Sequence, residues 1–174
     1  GTCVNLGCVP KKIMYNAAEV AEALGDAADY GFDVAGGDFN WRRLTERRDA
    51  YVQRLNGIYE QNLEQSGVTV VRGWARFAGP RAVQVGDRVL KAPHILLAVG
   101  GTPRRPDLPG AALGLTSDDV FRLEERPRRV LIVGGGYVGL EFAGIFKALG
   151  SMVTLACRDE RPLRAFDSLV VNVL

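Results

Sequence analysis

Apolar side chains follow two rhythms along this chain. Ile13 to Leu24 is a run of good helix formers whose apolar positions repeat as on a helix face, predicting a regular helix there. Gly25 to Asn40 is rich in Gly and Asp and reads as a connector. A long segment then opens at Phe39 and runs to Ser66, with Leu44, Tyr51, Leu55, Ile58, Tyr59 and Leu63 at helical spacing, Arg and Glu between them, and Gly67 as its cap. Beyond Gly67 the rhythm becomes that of strands. Val68–Val71 predicts a short strand, Arg72–Phe77 a turn and a second strand, and Ala82–Leu90 a hairpin with Gly86 and Asp87 at its tip. His94–Val99 is a continuous apolar run ended by Gly100 and Gly101, the pattern of a strand buried on both faces.

Thr102–Gly110 carries three of the eight prolines and reads as an extended linker, placing a boundary between residues 1–101 and 102–174. Past it, Ser117 and Asp118 are suited to cap a short helix through Leu123. Arg128–Val133 then predicts a buried strand, Leu140–Leu149 a helix ended by Gly150, and Met152–Ala156 another strand, with a further helix begun at Asp167. Helix, helix, β segment and then a βαβ start make the fold class α/β.

Composition narrows the field only a little. The chain has 174 residues, 47% apolar and 24% charged, with a net charge of +2, which suits an ordinary globular protein of one or two domains. So small an excess of positive charge implies no nucleic-acid partner, and no apolar run reaches the ~20 residues of a membrane-spanning helix. The absence of a signal peptide and an odd count of three cysteines point to a reducing, cytoplasmic setting. Opening on Gly1-Thr-Cys without Met reads as a fragment of a longer protein.

Two of those cysteines, Cys3 and Cys8, fall in Gly1-Thr-Cys-Val-Asn-Leu-Gly-Cys-Val-Pro-Lys-Lys12, just ahead of the first helix. In an ideal helix, residues five apart stand about 140° and ~7.5 Å from one another, outside the ~4.4–6.8 Å Cα window of a disulfide. The backbone must therefore be distorted if they are to pair, and Asn5 and Gly7 are residue types that permit it. A helix N-terminus with Lys11 and Lys12 nearby lowers a thiol pKa, which describes a redox pair. A structural disulfide, half a zinc site and two free core cysteines are the other readings of these residues. With one distant His94 and no second cysteine pair, a zinc site lacks ligands, and so short a loop gives a structural disulfide little chain entropy. No metal site is expected.

A second chemical signal is Gly134-Gly-Gly-Tyr-Val-Gly139, set between a strand and a helix that returns to another strand. Gly134 allows the tight turn, Gly136 lets backbone approach a pyrophosphate, and Gly139 lets the helix pack closely, while the helix N-terminus supplies positive potential. A glycine-rich turn with no ligand is the bland alternative. Where an acidic residue would accept bonds from an NAD ribose, about 18 residues beyond Gly139, stand Cys157 and Arg158, with Arg164 following. Two guanidiniums suit a 2′-phosphate and so NADPH; Asp159 and Glu160 keep NAD as the other reading.

The cysteine string closely resembles the active-site segment of the flavin-dependent pyridine nucleotide-disulfide oxidoreductases, and its Lys-Lys ending resembles their glutathione reductase branch. Asn40-Trp-Arg, Arg48–Tyr59, Phe142-Ala-Gly-Ile and the arginine pair extend the likeness over nearly the whole chain. The resemblance implies part of an FAD-binding Rossmann-like domain in residues 1–101, then the start of an NADPH-binding Rossmann-like domain, in a homodimer. It implies electrons passing from NADPH to FAD, to a Cys3–Cys8 disulfide and on to glutathione disulfide, Cys3 attacking substrate and Cys8 lying next to the flavin. Lys11 and Glu141 match a pair beside the flavin, and Tyr137 a ring that covers it until the nicotinamide arrives. Thr2, Cys3, Lys11 and the Ala75 backbone match flavin contacts; Gly135 and Val138 match NADPH contacts; Tyr51, Tyr59 and Asn62 match a glutathione-contacting helix.

Val99 departs from the usual Thr, and Gly139 from the Ala common in NADP-linked members. The resemblance places a first flavin-binding segment before Gly1 and a flavin-ribityl Asp, a dimer interface and a catalytic His-Pro after Leu174, for which His94 cannot stand in. By that expectation the isolated chain is inactive, and a non-catalytic nucleotide-binding fragment is the second reading. Trypanothione reductase shares much of the cysteine string, but Arg47, Arg48 and Arg54 favour anionic glutathione.

Overall fold

The computed structural model describes residues 1–34 and 38–173. In chain order these form α1 (Thr2–Leu6), α2 (Cys8–Asp26), a 3₁₀ turn (Ala27–Tyr30), α3 (Trp41–Gln65), β1 (Ala75–Gly79), β2 (Ala82–Val85), β3 (Arg88–Lys91), a 3₁₀ turn (Ala111–Leu113), α4 (Ser117–Val120), β4 (Arg129–Val133), α5 (Tyr137–Ala148), β5 (Met152–Ala156) and α6 (Ser168–Val173). The class is mixed α/β with a parallel strand pair. Part of the connector expected over Gly25–Asn40 lies outside the described residues, and α2 takes its start, running to Asp26. The helix expected from Ile13 begins at Cys8, because Pro10 in a first turn has no N–H to lose.

The chain divides into two compact units, Gly1–Gln53 with Pro103–Leu174, and Arg54–Thr102. In the first, β4 and β5 pair in parallel from Arg129↔Met152 to Val133↔Ala156, and α5 is the crossover between them. Its core joins Met14 and Ala18 of α2, Trp41 of α3 and Phe121 to Phe142, Ile145 and Phe146 of α5. Trp41 stacks on Phe146 with ring centroids 5.9 Å apart, and its Nε1–H donates to the Leu123 carbonyl at 2.9 Å. Such burial satisfies the indole's polar edge while its rings fill the core. The short helix α4 is capped by Thr116, one residue earlier than expected, in a capping box with Asp119. The Thr116 backbone N–H and then its hydroxyl, each donating at 2.8 Å, hold the Asp119 carboxyl below its ordinary pKa.

Asn40 accepts the Arg43 N–H at 2.8 Å and starts α3. The face that α3 buries differs from the apolar one read in the sequence. Trp41, Thr45, Arg48 and Val52 form the buried stripe, spaced four, three and four apart. Of the positions read in the sequence, Leu44 packs half-buried against the core and Leu55 is half-buried, whereas Tyr51, Ile58, Tyr59 and Leu63 are exposed. Arg48 is only 1% exposed, and each part of its fork has a partner. Nε–H donates to Asp49 Oδ1 at 2.8 Å, Nη2–H to the Phe121 carbonyl at 2.7 Å, and Nη1–H lies 3.7 Å from Met14 Sδ.

The second unit holds the end of α3 and an antiparallel sheet in the order β1-β2-β3, with Gly86 and Asp87 at the β2–β3 turn as expected. Gly67, at φ 68°, closes α3 by donating to the Glu64 carbonyl at 3.0 Å. Two expected strands are not formed: 68–71 and 94–99 have no regular secondary structure, and no strand pairs with them among the described residues. An apolar run becomes a strand only when a neighbour takes its N–H and C=O groups. Leu96 and Val99, placed on a doubly buried strand by their pattern, are about nine-tenths exposed. β4 is likewise not buried throughout: Val130 and Ile132 pack toward the core, while Leu131 and Val133 on the opposite face are exposed.

Candidate functional site

The cysteine pair is built by a break between two helices. α1 ends and α2 begins at Gly7, where a glycine lets the two turns close tightly: a Cβ at this position would stand 3.0 Å from the Thr2 carbonyl oxygen and 3.1 Å from the Cys3 Cα, so a larger residue would push the backbone of α1 aside by a few tenths of an ångström. Asn5, the other residue suited to a distortion, instead sits within α1, its side-chain N–H donating to the Gly1 carbonyl at 2.9 Å. By folding α1 against α2, the break brings Cys3 and Cys8 within hydrogen-bonding reach, both as free, exposed thiols.

That proximity corrects the expected direction of one pKa. The hydrogen bond with Cys3 pushes the Cys8 thiol up from its ordinary value, with desolvation and the negative charge of an ionised Cys3 adding to it. A backbone hydrogen bond and the Lys11 charge act the other way and are outweighed. Two like-charged thiolates side by side are costly, so the second proton is held.

One turn along α2, Lys11 is half-buried and its Nζ–H donates to Glu141 Oε2 in an ion pair with α5. The same ammonium lies 5.6 Å from the centre of the exposed Tyr137 ring. Packing of α2 on α5 thus gathers Cys3, Cys8, Lys11, Glu141 and Tyr137 in one unit, although the two helices are more than a hundred residues apart in sequence. Thr2 is exposed in α1 beside them.

Tyr137 begins α5 immediately after the glycine loop. Gly134 has φ 126° and donates its N–H to the Ala156 carbonyl at 2.9 Å, making the tight turn. A Cβ on Gly139 would stand 2.7 Å from the Gly134 carbonyl oxygen, so helix and loop pack too closely for Ala at this point. Gly136 is the N-cap of α5, with no side chain capping the helix, and a Cβ there would meet nothing within 4 Å. A groove of about 850 Å³ runs from Pro103–Pro109 past Val133 to Gly134, Gly136, Val138 and Gly139.

Gly135 has a structural duty that sequence reasoning missed. A Cβ on it would meet Cys157 Sγ at 2.8 Å and Pro162 Cα at 3.1 Å, and its carbonyl accepts the Leu163 N–H at 2.7 Å. The loop after β5 is therefore seated on the glycine loop, with Leu163 at φ 53°, for which the sequence carries no signal. Arg158 and Arg164 rise from that loop, both exposed, and both face Asp159.

Tyr51, Tyr59 and Asn62 are all exposed on α3. Of the arginines read as favouring an anionic substrate, Arg47 and Arg54 are exposed, but Arg48 is buried and bonded inward. Ala75, exposed at the start of β1, belongs to the second unit. Among the described residues no group of three or more His, Cys, Asp or Glu is placed to hold a metal, and no helix is long and apolar enough to cross a membrane.

The sequence profile of the pyridine nucleotide-disulphide oxidoreductase family matches residues 1–174. A glutathione reductase of Yarrowia lipolytica is 45% identical to the chain over 188 aligned positions, which take in 100% of this chain and 40% of that protein.

Proposed function

Because the chain belongs to the pyridine nucleotide-disulphide oxidoreductase family, we propose that it is the redox-disulfide and nucleotide-loop portion of an NADPH-dependent, FAD-containing enzyme that reduces glutathione disulfide. The observation that carries this reading is the thiol pair folded together at Gly7 on a helix ion-paired, through Lys11 and Glu141, to the helix that opens at the glycine loop. Dithiol chemistry and a dinucleotide turn are thereby coupled within one unit.

The residues present suit both cofactors. An uncapped α5 N-terminus and the open approach at Gly136 fit a pyrophosphate, and Arg158 and Arg164 fit a 2′-phosphate. Exposed Cys8, the Lys11–Glu141 pair and the Tyr137 ring, all in the first unit, fit a flavin edge, with Thr2, Cys3 and Lys11 as its proposed contacts there. A bound flavin would accept hydride from NADPH and return two electrons to the disulfide.

The protein's own part is thiol–disulfide exchange. Cys3, as thiolate, attacks one sulfur of glutathione disulfide; that S–S bond breaks, one glutathione leaves, and the other is held on Cys3. Cys8 then attacks the Cys3 sulfur as a thiolate; the bond from Cys3 to the glutathione sulfur breaks, the departing glutathione thiolate takes up the proton that Cys8 gave up, and the Cys3–Cys8 disulfide forms. With its proton held more firmly than usual by the hydrogen bond with Cys3, Cys8 suits the second role and Cys3 the first. Tyr51, Tyr59, Asn62 and the exposed Arg47 and Arg54 are the proposed substrate contacts, a homodimer the proposed assembly, and the cytoplasm the proposed compartment.

Turnover by the full-length protein tests the reading. Reduced-nicotinamide loss should be fast with NADPH and glutathione disulfide, and slow with NADH or with trypanothione disulfide. Replacing Arg158 with Met and Arg164 with Leu should weaken NADPH use by about two powers of ten, each exposed charge-assisted contact contributing about 1.5 kcal/mol. Equal use of trypanothione disulfide contradicts the substrate, and an undiminished NADPH preference in the double variant contradicts the role of the arginines.

A further inference from the structure

The segment that follows β5 contains a charge arrangement the proposed nucleotide site leaves unexplained. Asp159 stands between the two arginines, its Oδ1 3.6 Å from Arg158 Nε and its Oδ2 3.8 Å from Arg164 Nη1. Of the neighbouring charges, Arg161 is directed elsewhere, donating to Asn172 Oδ1 at 2.7 Å, and Glu160 is exposed. The loop bearing them is held in place. Leu163 donates to the Gly135 carbonyl, Phe166 donates to the Leu163 carbonyl at 2.7 Å, and Pro162 and Cys157 crowd Gly135.

One carboxylate whose two oxygens face two separate guanidiniums takes up the arrangement that phosphate oxygens would take between the same cations. The pairs are long and their side chains largely exposed, so they are weak and readily exchanged. We infer that Asp159 is a specificity-determining residue that competes internally for the 2′-phosphate subsite. Before the ligand arrives it gathers the two arginines; once a dianionic phosphate enters, its charge opposes binding and narrows the preference for NADPH over NADH. This rests on the reading of Arg158 and Arg164 as the 2′-phosphate site.

Asp159→Asn removes the charge and keeps the shape, at an exposed position where folding is not at stake. Calorimetric titration of the oxidised full-length protein with NADPH, NADH and 2′,5′-ADP, at low and high salt, provides the test. Asp159→Asn should tighten NADPH and 2′,5′-ADP by about 3–10-fold at low salt, as expected for one unit charge lifted from near a dianion in a high-dielectric setting. The gain should shrink at high salt. Unchanged or weaker 2′,5′-ADP binding by this variant, with the wild type still preferring NADPH, overturns the inference while leaving the phosphate site standing. Wild-type affinity for 2′,5′-ADP in the Arg158→Met, Arg164→Leu double variant overturns the site and the inference with it.

Discussion

At the scale of single residues, glycines and thiols decide the chemistry. Gly7, Gly134 and Gly139 were legible in the sequence because each sits in a motif whose geometry needs a missing side chain, and the structure gives each a steric or conformational reason. The Cys8 pKa was not legible, since helix-terminus and lysine effects can be read from position, whereas a hydrogen bond to Cys3 exists only after the chain breaks at Gly7. A raised thiol pKa means that the reactive thiolate is scarce at neutral pH and appears only as pH rises through the shifted value. In the reduced full-length protein, Cys8 alkylation by iodoacetamide should therefore reach its half-maximal rate above the ordinary thiol range. Cys3→Ala removes the largest cause and should move that midpoint down, and Lys11→Met removes a lowering charge and should move it up. Coincident profiles for the three proteins would show that the thiols do not interact.

At the scale of elements, the helices and the βαβ unit were legible, and the faces they bury were not. Helical period locates α3, but the sequence cannot say which stripe meets a neighbour, and the buried one contains Thr45 and Arg48, residues that a hydrophobic pattern assigns to solvent. Arg48 ties three segments together: its own helix through Asp49, α2 through Met14, and the Phe121 turn through a carbonyl. Arg42, on the same helix, makes an exposed pair with Glu46 at 3.0 Å. Replacing Arg48 with Met should cost about 1–3 kcal/mol, because the Phe121 carbonyl loses its donor in the interior, while Arg42→Ala should cost no more than about 0.5 kcal/mol. Urea unfolding of the full-length protein would compare them, and equal midpoints would mean that Arg48 is not the tie its contacts describe. Residues 94–99 teach the converse lesson, since an apolar run states a capacity to pair but cannot name the strand that completes the ladder.

At the scale of the whole molecule, the chain spans 40% of the length of the Yarrowia glutathione reductase it resembles, and many of its large apolar side chains, Trp74, Leu96 and Val99 among them, are exposed. What unites its chemistry is the packing of α2 on α5, which joins a thiol pair at one end of the sequence to a glycine loop near the other. Each motif was readable alone; their union through Lys11 and Glu141 was implied only by the family resemblance, since no local pattern connects residues so distant. By the proposed function, Cys3 and Cys8 are a redox couple fed by reduced nicotinamide. Incubating the oxidised full-length protein anaerobically with or without NADPH, alkylating it, and mapping the labelled cysteines by mass spectrometry tests that coupling. NADPH should expose Cys3 and Cys8 together to the alkylating agent and leave the labelling of Cys157 unchanged. Labelling of Cys3 and Cys8 that does not depend on NADPH would contradict the account.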